Sequence, residues 1–137
     1  MIIQEQGNFF SLEIAITEDW YGFVPFSIRS ASKGFSGEVH YVDVQLVDLE
    51  NFLNQLAILD EQRQGKATLK SSDSPESREF QLEVFSTDKL GHMALGIEIT
   101  ADAQGVQIGF EIDPSNIPYF VEQFTEMISA LKQQRAS

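Results

Sequence analysis

SGEVHYVDVQLVDLENFLNQLAILDEQRQG, residues 36–65, changes its hydrophobic period halfway along. Val42, Val44 and Leu46 fall at every second position with Tyr41, Asp43 and Gln45 between them, which is the alternation of a half-buried strand. Leu49, Phe52, Leu53, Leu56 and Leu59 then follow helical spacing. Asp48 is placed to cap the first free amides, Glu50 adds favourable charge to the first turn, and Gly65 offers a left-handed stop. Strand passing directly into helix predicts an α+β chain.

The flanking segments extend that reading. FFSLEIAIT, residues 9–17, alternates with Phe10, Leu12, Ile14 and Ile16 on one side, and Glu18 to Gly22 reads as a turn. A second strand carries Val24, Phe26 and Ile28, and Pro25 either marks it as an edge candidate or lies before its hydrogen-bonded part. Beyond the helix, a short strand at 66–70 leads into a polar connection over 70–77. Three patterned strands follow at 79–86, 92–100 and 105–112, joined by turns at Gly91 and 101–105, as in an antiparallel meander. The last helix starts near Ser115, with a buried stripe of Ile117, Phe120, Val121, Phe124, Met127, Ile128 and Leu131. Pro118 is tolerated in its first turn, and Lys132 and Arg135 suit its negative end.

The expected fold is one globular domain over 1–137, in the order β-β-β-α-β-β-β-β-α. It is a single antiparallel sheet of about six or seven strands with two helices packed on one face. Strands followed by a helix recur only as a loose echo, too faint to define a repeat.

Composition narrows function by subtraction. The 137 residues contain 21 Asp and Glu against 9 Lys and Arg, a net charge of −12, with no Cys and two His. Residues 1–50 are the most acidic stretch, with eight acids against two bases. Such a charge disfavours nucleic acid and anionic membrane and favours a basic protein surface. Eleven Phe argue for a folded core, and no apolar run is long enough to span a bilayer. The start Met1-Ile2-Ile3-Gln4-Glu5 lacks the pattern of a secretory signal, and the absence of Cys suits a reducing compartment, so a cytoplasmic location is expected.

No reactive constellation emerges from the remaining residues. His40 and His92 are 52 positions apart, a poor supply for zinc, and no calcium-loop pattern occurs. Gly34-Phe35-Ser36-Gly37 lacks the lysine and serine of a phosphate loop, and no serine sits in a nucleophile-elbow context. Neither enzymatic activity nor a metal or other cofactor is expected. The candidates for binding are Glu13, Glu83, Glu98 and Glu111 on the polar sides of strands, and the turn Asp19-Trp20-Tyr21. Gly96 and Gly109 beside Glu98 and Glu111 are placed either to leave a shallow trough where something approaches the backbone or to relieve crowding between neighbouring strands. For the glutamates the plain alternative is an ordinary solvated sheet face. For Trp20 it is a ring filling the margin of the core.

The pattern resembles the WapI-type immunity protein family, small bacterial proteins of contact-dependent toxin systems. The resemblance covers roughly 8–133 and rests on Phe10-x-Leu12-x-Ile14, Trp20-Tyr21, the strand from Gly37 to Val47, and Asp48-Leu49-x-x-Phe52-x-x-x-Leu56. It continues through Leu95-x-Ile97-x-Ile99 and the helix from Ile117 to Leu131. It implies an α+β protein that binds and neutralises a cognate toxin, and it carries over no functional residue. The leading expectation is therefore a non-catalytic protein-binding module that occludes the active surface of a basic toxin domain. A structural or regulatory domain acting as a homodimer is the alternative, and a small ligand-binding protein or enzyme the third reading.

Overall fold

The structure is a computed structural model describing residues 1–15, 22–73 and 77–136. Eight strands form two four-stranded antiparallel sheets rather than one. The N-terminal sheet runs β1 (Ile2–Glu5), β2 (Asn8–Ile14), β3 (Phe23–Ser32), β4 (Phe35–Gln45), in that spatial order, and is followed by α1 (Leu46–Gln62). The C-terminal sheet runs β5 (Lys66–Lys70), β6 (Arg78–Ser86), β7 (Met93–Ala101), β8 (Gln104–Ile112), followed by α2 (Asn116–Ala136). Each half is thus a four-strand meander closed by a helix, and the faint echo in the sequence is a repeat of topology.

The single-sheet expectation fails for an identifiable reason. Alternation shows that a strand has one apolar face, but not which surface covers that face. Here the two sheets supply part of each other's cover. Phe26 of β3 stacks on Phe80 of β6, with ring centroids 6.0 Å apart. The helices complete the cover: Phe10 meets Phe120 at 6.2 Å, and Phe52 meets Phe124 edge-on at 5.0 Å. Phe10, Phe26, Phe52, Phe80, Phe120 and Phe124 are all essentially inaccessible to solvent. Burial of such a ring contributes roughly 1.5–3 kcal/mol, so these six add substantially to the core that the halves share.

Local chemistry sets the element ends. Gln6 and Gly7, with φ of 51° and 79°, make the two-residue turn between β1 and β2, and Lys33 and Gly34, at 54° and 84°, make the one between β3 and β4. Two positive φ values in succession give the turn whose twist matches antiparallel strands. The strand β1 lay outside the sequence expectation because its four residues are too short to display a period. Helix α1 begins at Leu46 with Gln45 as an N-cap that makes no side-chain bond, so Asp48 sits inside the first turn instead of capping it. It ends at Arg63, whose φ of 58° takes the left-handed role expected of Gly65 and whose amide donates to the Leu59 carbonyl. The stripes on both helices lie where the spacing put them, with Leu49, Phe52, Leu56 and Leu59 on α1 and Ile117, Phe120, Phe124 and Leu131 on α2 all buried. Lys132 of α2 reaches Glu50 of α1 at 3.6 Å across the surface.

Candidate binding surfaces on the outer sheet faces

Because the inner faces are filled, the outer face of each sheet is left to solvent. On the C-terminal sheet the register arranges the outward residues in rows across the strands. Glu83, Gly96 and Gly109 make one row, since Glu83 pairs with Gly96 and Gly96 with Gly109. Gln81, Glu98 and Gln107 form the next row on one side, and Phe85, Ala94 and Glu111 the row on the other. Two adjacent glycines between rows of larger side chains leave a trough of ≈ 450 Å³, bordered by Gln81, Glu83, Phe85, Glu98 and Gln107. The Gln81 amide donates to Glu83 Oε1 at 3.0 Å, and Lys66 Nζ lies 3.9 Å from the same oxygen.

The N-terminal sheet presents a different surface. Its outward residues include Ile2, Phe9, Ser11, Glu13, Phe23, Arg29, Glu38 and His40. Phe26 pairs with Val42 but Ile28 pairs with Val39, so His40 and Tyr41 together stand opposite Ser27 as a bulge. Tyr41 takes φ 57° there, and its amide donates to Ser27 Oγ at 3.3 Å. The outcome is a phenol ring that is 73% exposed. Phe23 is 43% exposed and Ile2 59%, so this face carries large apolar groups that the core does not use. Charges of both signs accompany them. Arg29 lies over the Phe9 ring at 5.4 Å from its centroid and is directly opposite Glu38 in the register. His40 Nε2 approaches a Glu38 carboxylate oxygen at 3.4 Å.

The candidate residues named from the sequence are therefore divided. Glu83, Glu98 and Glu111 share the outer face of the C-terminal sheet, whereas Glu13 lies on the other sheet opposite Ser27. Asp19, Trp20 and Tyr21 lie outside the described residues. Phe9, Arg29, Phe23 and Tyr41, spread along β2, β3 and β4 of the outer face, form a surface that the sequence does not announce. Its signal was a slip of phase, because Val39 and Val42 are both buried though three positions apart. A histidine does form a defined contact elsewhere. In the β6–β7 connection Asp88 Oδ1 accepts from the amides of Leu90 and His92, while Asp88 Oδ2 meets His92 Nδ1 at 2.5 Å. The hydrogen bond and charge of Asp88 raise the His92 pKa above its ordinary value, and the bond to His92 lowers that of Asp88. Among the described residues no group of three or more His, Asp or Glu gathers to hold a metal ion, and no helix is long and apolar enough to cross a membrane.

The sequence pattern of the Immunity protein WapI-like family matches residues 1–132. The chain belongs to that family. Membership agrees with the non-catalytic reading of this WapI-like protein. No curated protein sequence matches it. Solved structures with the same fold include two proteins of Arabidopsis thaliana. WHY1 is 6% identical with a TM-score of 0.59 over 96% of this chain and 88% of its own. WHY3 is 9% identical with a TM-score of 0.60 over 99% and 89%. The plant transcriptional regulator PBF-2 is 7% identical with a TM-score of 0.60 over 99% and 83%.

These likenesses correct the expected function and partners. The scaffold of the WapI-like protein is one that a plant transcriptional regulator also uses, which overturns a toxin-occluding, protein-binding module as the leading reading. The exclusion of nucleic acid falls with it. Net charge sums over the whole chain, whereas recognition depends on the few groups that share a face. The −12 therefore decides neither the basic toxin partner nor the absence of a nucleic-acid one.

Proposed function

We propose that this WapI-like protein is a non-catalytic regulatory domain that works by pairing with a second copy of itself through the outer face of the N-terminal sheet. The observation that carries the reading is the composition of that face. It combines Ile2, Phe23 and Tyr41, all substantially exposed, with Arg29 and the acids Glu13 and Glu38. Rings and both signs of charge on one surface suit a two-fold contact, in which the same patch meets itself and each Arg29 can face an acid of the other copy. Exposed aromatic groups are the usual anchors of such contacts. The fold shared with a transcriptional regulator supports a regulatory role over a catalytic one. Light scattering coupled to size exclusion tests the reading: the native chain elutes with the mass of a dimer, and Tyr41→Ser combined with Phe23→Ser gives the monomer. A native chain that stays monomeric at about millimolar concentration, where even weak contacts populate, refutes it.

A second reading rests on one contact. The Arg29 guanidinium over the Phe9 ring pairs a cation with a stacking surface, the combination that holds unpaired bases and phosphates. Single-stranded nucleic acid is accordingly the second partner class for this face. The two readings respond oppositely to salt. Added salt screens the repulsion between two copies of charge −12 and strengthens pairing, but weakens any binding that depends on phosphate contacts. Fluorescence anisotropy with a labelled single-stranded oligonucleotide across a salt series separates them.

A further inference from the structure

The trough on the C-terminal sheet is independent of the pairing face, and it has features that ordinary solvated sheet does not require. Its floor is backbone. Gly96 and Gly109 pair directly with each other, so for the width of two strands no side chain rises from the sheet. Steric need does not impose those glycines. A methyl group on Gly96 would come no closer than 3.6 Å to Phe85 Cε1, and one on Gly109 no closer than 3.7 Å to the Leu95 carbonyl, both ordinary contacts. Neither residue is among those with positive φ. Alanine would fit at both positions and favour the strand, because glycine weakens strand interiors. What the glycines provide is open space, and a flat group can lie in it.

The walls define the chemistry of that group. Phe85 offers the edge or face of a ring on one side, and Glu98 with Gln107 offers a carboxylate and an amide on the other. Glu83 closes the β6 end, with Oε1 already engaged by Gln81 and Lys66. Among the described residues none makes a hydrogen bond or ion pair to the Glu98 side chain, so its acceptor capacity is free. A carboxylate, an aromatic ring and a flat floor together match a planar cation. The guanidinium group meets all three requirements: it forks onto a carboxylate, stacks on rings, and is more weakly hydrated than an ammonium. Anions are disfavoured by Glu83 and Glu98, and a trough of ≈ 450 Å³ falls within the range of small-molecule sites.

We infer that the trough over Gly96 and Gly109 is a binding site for the guanidinium group of a small molecule, with Glu98 as the charge partner and Phe85 as the stacking wall. The site is open to solvent on one side, so the affinity for the bare group is on the order of 1–10 mM.

Amide chemical-shift titration of the full chain with methylguanidinium tests this, with methylammonium as a control of equal charge but no planar fork. Saturable shifts are expected at Phe85, Gly96, Glu98 and Gly109, with methylammonium binding at least about fivefold more weakly. Glu98→Gln should weaken methylguanidinium by a similar factor. The pair Gly96→Ala and Gly109→Ala raises the floor and should abolish saturation while the remaining spectrum, and hence the fold, is preserved. Equal responses to the two cations would reduce the trough to a diffuse acidic surface and overturn the proposal. Undiminished binding by the double alanine variant would overturn it as well.

Discussion

Phe26 of β3 and Phe80 of β6 stack 6.0 Å apart and join two sheets that share no backbone hydrogen-bond ladder. Both rings are buried, at 0% and 2% exposure, so the contact lies within the continuous core. Cohesion between the halves therefore rests on side-chain packing together with a few cross-links, such as the Ser72 amide donating to the Asp43 carbonyl at 2.8 Å and the Asn116 side-chain amide to Glu5 Oε1 at 3.0 Å.

Replacing Phe26 or Phe80 by Ala is expected to destabilise the fold by about 3–5 kcal/mol each, because a cavity remains where the ring was. The double variant should lose less than the sum, since each single change already removes the shared contact. Urea unfolding of the four proteins measures both quantities.

Gly37 is a second point of close fit. A methyl group there would stand 2.4 Å from Val106 Cγ1, on β8 of the other sheet. Gly37→Ala should cost about 1–3 kcal/mol through overpacking. Val106→Ala in the same chain should recover part of that loss, because the obstructing atom is a side-chain methyl and not backbone. The unfolding midpoints of the two single variants and the pair decide it.

The Asp88–His92 contact carries a pH signature. Asp88 raises the His92 pKa, so the contribution of His92 is fully present below its ordinary value of 6.5 and disappears as pH rises through the raised folded value. The Asp88 pKa is lowered, so its contribution is present above 3.8 and is lost as pH falls through the depressed folded value. The contact is therefore strongest between these limits. A titration of the His92 ring protons should show a midpoint above 6.5, and Asp88→Asn should bring it back toward that value. Both groups are exposed, so the global unfolding free energy should change little.

Much of this architecture is legible in the sequence, and the limits have physical causes. The change of period at Leu46–Leu49 located α1 to within a few residues, and every core position named on α2 from Ile117 to Leu131 lies on a buried or half-buried stripe. Pairing between sheets was not legible, because Phe26 presents the same alternation whether a helix or Phe80 covers it. The bulge does not show in the alternation of Val42, Val44 and Leu46, since only Val39, three positions before Val42, carries the slipped phase. The trough was legible in outline, since Gly96 and Gly109 could be assigned to the outer face from alternation alone. Their direct opposition needed the register. Bulk acidity misled most, because it averages over faces as unlike as those of Glu98 and Arg29.

Pairing through the N-terminal sheet face is the central claim, and sedimentation equilibrium across a salt series tests it most directly. With two copies of charge −12, the dimer fraction should rise between about 20 mM and about 300 mM salt as repulsion is screened. Tyr41→Ser with Phe23→Ser should hold the chain monomeric throughout. A dimer fraction that falls with salt, or one indifferent to both substitutions, would contradict the account.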